Sequence, residues 1–140
     1  MGWEDLPQYL SNAGVKWDVL ERAAKLQIEL DWRGIYGPAF IRLPRHRVGH
    51  KAEHEFAREP CTHYLIVPFT SDVPRIPMHI QGRGKRTLDA YECEGPLVAL
   101  GEFCQAEFFV APLDLSWTMV HTHEDHALGG PYFIRREWLV

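Results

Sequence analysis

Apolar and polar positions recur along this chain with two different periods, and each period marks out its own elements. In "WDVLERAAKLQIELDW", Trp17, Leu20, Ala24, Ile28 and then Leu30 or Asp31 fall at helical spacing, with Glu21, Arg22, Lys25 and Glu29 on other faces. The spacing predicts a helix over residues 17–32, stopped by Gly34 and Gly37-Pro38. "AFIRL" reads as a short strand before Pro44, and "THYLIVPF" as a stronger one, β-branched and aromatic. "PLVALGEFCQAE" reads as a short helix opening at Pro96, a good first-turn residue. "FFVAP" and "LSWTMVHT" read as two strands joined by a turn at Pro112-Leu113-Asp114, and "PYFIRREWLV" as a final strand. In the penultimate strand the period of two puts Trp117 and Met119 on one face and Thr118 and Val120 on the other. The expected class is α+β: a single domain over residues 1–140, with a mostly antiparallel sheet and helices packed on one face.

Composition narrows the function classes. At 140 residues, 46% apolar and 24% charged, the chain has the size and make-up of one globular domain. A net charge of −4 removes the basic surface that nucleic-acid binding requires. No apolar run approaches the roughly 18 residues of a membrane span, and the N-terminus lacks a signal peptide's apolar stretch. Cys61, Cys93 and Cys104 are odd in number and form no C-x-x-C pair, which suits reduced thiols in the cytoplasm. A protein partner, or a second copy in a homodimer, is the expected ligand class. Arg136 and Trp138 in the terminal strand are the candidate binding residues, since aromatic and Arg side chains anchor interfaces.

One stretch carries candidate metal chemistry. "TMVHTHEDHALGGPYF" contains His121, His123, Glu124, Asp125 and His126, five ligand-type side chains within six residues. Imidazole and carboxylate groups on a loop after a strand can converge on Zn²⁺ or another divalent transition metal, and the metal then makes hydroxide from bound water near neutral pH. The H-x-H-x-D-H spelling resembles the metal signature of the metallo-β-lactamase superfamily. That superfamily carries it in the first half of the domain and takes more His and Asp ligands from later strands. Here fourteen residues follow His126, with no His, Asp or Cys among them. The chain is also short for the superfamily's αββα sandwich, so the match is read as coincidental for that family. Upstream His63, His79 or Asp72 would have to complete such a site.

Other patterns carry less. His46, His50 and His54 are spaced for one helix face, but Gly49 interrupts and Arg45, Arg47 and Lys51 flank them. "HIQGRGKRT" lacks residues a phosphate loop needs and reads as a basic turn. Cys104 reads as a core thiol, and no G-x-S-x-G elbow surrounds any serine.

The segment "DLSWTMVHTHEDHALGGPYFI" also resembles the C-terminal part of small uncharacterised bacterial proteins, through Trp117, Thr122-His123-Glu124 and Gly130-Pro131-Tyr132-Phe133. That resemblance implies a stand-alone α+β domain of accessory or immunity type and transfers no catalytic residue. Two readings follow. The first is a non-catalytic, cytoplasmic protein-binding module. The alternative is a metal-dependent hydrolase with its site at residues 121–126. The sequence compels no cofactor, and Zn²⁺ or a similar ion is the candidate for the second reading.

Overall fold

The computed structural model describes residues 1–42, 47–69, 88–122 and 130–139, with side chains of the long second helix described as far as residue 37. Seven strands form one sheet in the order β1-β4-β3-β5-β6-β7-β2, and every neighbouring pair is antiparallel. The strands are β1 (Lys16–Val19), β2 (Arg47–Val48), β3 (His63–Pro68), β4 (Tyr91–Glu94), β5 (Phe108–Pro112), β6 (Trp117–His121) and β7 (Tyr132–Arg135). Among the described residues the α-helices are α1 (Leu6–Asn12), α2 (Arg22–Arg42) and α3 (His50–Ala57), with short 3₁₀ turns before α1 and after α3. The expected α+β class and antiparallel sheet are present. Among the described residues no helix is long and apolar enough to cross a membrane.

Period-two alternation in the strands builds two cores. Tyr64, Ile66, Cys93, Phe108, Val110, Trp117, Met119 and Phe133 point to one face, where Leu6, Leu10, Ala52 and Phe56 of α1 and α3 cover them. Leu65, Val67, Phe109, Ala111, Val120 and Ile134 point to the other, under Trp32 and Tyr36 of α2. Helices on one face are thus found for α1 and α3, while α2 lies across the opposite one. A sheet apolar on both faces must be covered on both.

The helix expected over residues 17–32 begins later and ends later than its spacing predicts. Trp17 belongs to edge strand β1, opposite Cys93, and α2 starts at Arg22. The helix runs through Gly34 and Pro38, and residues 39–42, expected as strand, are its last turn. Trp32 and Tyr36 are fully buried, so tertiary packing holds the turns that propensity alone would end. Its buried stripe includes Lys25 and Glu29, the residues the pattern assigned to outer faces. Lys25 donates to the Leu88 carbonyl at 2.6 Å and lies 4.0 Å from Glu29, which makes their burial tolerable.

Two further elements depart from expectation. Residues 96–100 form no helix, and the turn that follows, Gly101–Ala106, is 3₁₀. The carbonyls of Pro96 and Ala99 accept hydrogen bonds from the hydroxyls of Tyr64 and Tyr9, so this stretch is held by tertiary partners rather than by its own backbone. The final segment is strand only to Arg135 and then a 3₁₀ turn, Arg136–Leu139. Nor is β7 a sheet edge: it lies between β6 and β2. The edges are β1 and the two-residue β2.

Candidate functional site

The described part of the His-rich segment is His121 and Thr122; His123, Glu124, Asp125 and His126 lie outside the described residues. His121 ends β6 opposite Phe108. Its ring stacks on that phenyl at 4.9 Å with 24° between planes, and the residue is 4% exposed. It is therefore a core-facing histidine on the same face as Trp117 and Met119. Of the other upstream candidates, His79 and Asp72 lie outside the described residues, as does His46, and so does the basic turn of residues 79–87. His50 and His54 share the exposed side of α3, and Gly49 stands just before that helix with φ 62°.

Three elements meet around His121. Met119 and His121 form the floor of a pocket of about 250 Å³. Glu53, Phe56 and Ala57 of α3 make one wall, and the segment Leu97–Gly101 makes the other. Each wall is fixed by the core behind it. Phe56 packs edge-on against Trp117 at 5.8 Å, and Tyr9 stands edge-on to Phe103 at 5.2 Å just below the second wall. The lining is apolar apart from the His121 imidazole and the exposed Glu53 carboxylate. Among the described residues the lining contains no Ser, Thr, Cys, Lys or Tyr, and so no hydroxyl, thiol or amine nucleophile.

The thiols nearby are not activated either. Burial pushes the Cys93 thiol up to about 12, and the Glu92 charge adds to the rise. Burial also raises Cys61, partly offset by a hydrogen bond with the His63 backbone, with Glu59 and Asp114 adding to the rise. A reactive thiol needs the opposite shift.

The candidate binding residues at the C-terminus differ in setting. Arg136 is exposed, and its backbone N–H donates to Ser116. Trp138 is half-buried. It stands edge-on to Phe133 at 6.2 Å, with the guanidinium groups of Arg47 and Arg135 over its ring at 5.1 and 5.9 Å. Arg135 also reaches Glu59 at 2.9 Å and Glu55 at 3.3 Å. Burial opposes its charge, but those two carboxylates more than offset it and its pKa rises. These contacts tie the terminal turn to α3, beside the pocket wall.

The third upstream candidate, His63, does meet other ligand-type residues. Its Nε2 lies 2.7 Å from Glu92 and 3.9 Å from Glu94, on the α2 side of the sheet. No family model, no curated protein and no solved structure matches this chain, so its function is read from its geometry.

Proposed function

We propose that this protein is a non-catalytic binding module that captures an apolar anchor side chain of a protein partner in the pocket over Met119 and His121. The observation that carries this reading is the lining: among the described residues it has apolar walls, one imidazole, one rim carboxylate and no nucleophile. Its size supports a side-chain anchor. At about 250 Å³ it falls below the roughly 300–1,000 Å³ of clefts that enclose whole small molecules. Buried aromatic or aliphatic anchors dominate protein interfaces. Glu53 on the rim, and the net charge of −4, favour an anchor flanked by Lys or Arg. The proposed setting is the cytoplasm, which three cysteines outside any disulfide fit, and an accessory or immunity-type role is compatible with such a module.

Selection from a displayed peptide library, run in parallel against the wild type and Ala57→Trp, tests this. Ala57 is exposed at the pocket wall, so an indole there blocks the mouth without entering the core. The expected outcome is a family of peptides with one large apolar residue beside a basic one, binding the wild type only. Peptides that bind both proteins equally, or no enrichment at all, would overturn the reading.

A further inference from the structure

We propose that His63, Glu92 and Glu94 form a binding site for a divalent first-row transition ion, on the sheet face opposite the pocket. The strand register puts them together. His63 pairs with Glu94 and Leu65 pairs with Glu92 across β3 and β4, so all three side chains leave the same face. One ligand atom from each lies within 4.8 Å of the others. A tetrahedral ion with bonds of about 2.1 Å holds its ligand atoms about 3.4 Å apart. The observed separations of 2.7 and 3.9 Å from the imidazole bracket that value. The side chains are 41%, 42% and 65% exposed, which leaves an entry path and open positions for water.

A plain ion pair does not account for the arrangement. An exposed His–Glu pair contributes about 0–1 kcal/mol and needs one carboxylate. Here two converge on one imidazole, although like charges side by side repel. Across β1, Asp18 faces Glu92 and Lys16 faces Glu94 on this same side. The patch thus holds three carboxylates against one Lys and one His. A divalent ion neutralises the excess, and the imidazole favours Zn²⁺, Ni²⁺ or Cu²⁺ over Mg²⁺ or Ca²⁺. The scaffold is firm, because β4 is paired on both sides, by β1 and β3, and ligands on paired strands keep their positions.

The test uses full-length protein, with two readouts. Calorimetric titration with Zn²⁺ in excess Mg²⁺ should give a site that loses at least tenfold in affinity in both His63→Ala and Glu92→Gln/Glu94→Gln. That site should persist in His123→Ala/His126→Ala. Substoichiometric Mn²⁺ should broaden the amide signals of residues 62–64 and 92–95 before any others. No saturable Zn²⁺ binding, an isotherm unchanged by Glu92→Gln/Glu94→Gln, or first broadening elsewhere would overturn the assignment.

Discussion

The two faces of the sheet are covered by different means, and the difference tells where function can sit. On one face, among the described residues, a single helix, α2, lies across the strands. Trp32 stacks on Phe109 at 5.0 Å and 16°, donates its N–H to Thr118 at 2.9 Å and stands edge-on to Phe69 at 5.0 Å. On the other face the cover is assembled from pieces: α1, α3, a 3₁₀ turn and the irregular stretch of residues 96–100. Pieces meet at seams, and the seam between α3 and Leu97–Gly101 is the pocket. The strands beneath both faces are the same, so alternation along each strand feeds two cores at once, one of them bordered by this seam.

The largest expected effects should be equal on the two faces. Trp32→Ala and Trp117→Ala each remove an indole that is at most 2% exposed, and each should cost roughly 3–5 kcal/mol by urea unfolding. A loss below about 1 kcal/mol for either would show that its face is not core, and would break the comparison there.

An alkaline titration should weigh on the pocket-side core. The unfolded Cys93 thiol loses its proton near its ordinary 9.0, and the folded one near about 12. Stability that is complete below 9 should therefore fall steadily as the pH rises toward 12. Burial raises the Tyr64 hydroxyl on the same face as well, in the same direction. The urea midpoint measured at stepped pH checks this. Cys93→Ala should flatten part of the decline, and a decline unaltered by that substitution would contradict the assignment.

Smaller effects separate binding from stability. Ala57→Trp should change stability by no more than about 0.5 kcal/mol, as exposed positions do, yet abolish capture of the anchor. Arg136→Glu should be smaller still: stability within about 0.5 kcal/mol, and the oligomeric state by light scattering unchanged, because β7 is not an edge. A change in molar mass would show that the terminal segment is an interface.

Much of the central sheet was legible in the sequence. The β5–β6 pair and β3 announce themselves by β-branched and aromatic runs, and the faces of Trp117 and Met119 against Val120 follow from the period of two. Other elements were hidden for physical reasons. Lys25 and Glu29 sit in the buried stripe of α2, so its inner face reads as polar and Trp17 was drawn into the helix. In "YECE" of β4 the inward residues are Tyr91 and Cys93, and the intervening acids disguise a strand. The two residues of β2 are too few to show any period. The pocket draws on residues 53–57, 97–101 and 119–121, and nothing local in those stretches foretells their meeting. Of the metal-type candidates, His63 was visible as a residue, but Glu92 and Glu94 join it only through the β3–β4 register.

The most direct test of the difference between the faces is a methyl-resolved NMR titration with a peptide selected on the wild type. Shifts confined to Met119, Leu97, Val98 and Leu100, which line the seam, are expected, with Leu65, Val67 and the exposed Leu26 and Leu30 of α2 unmoved. Shifts centred on the α2 face or on edge strand β1, with Met119 and Val98 silent, would contradict it.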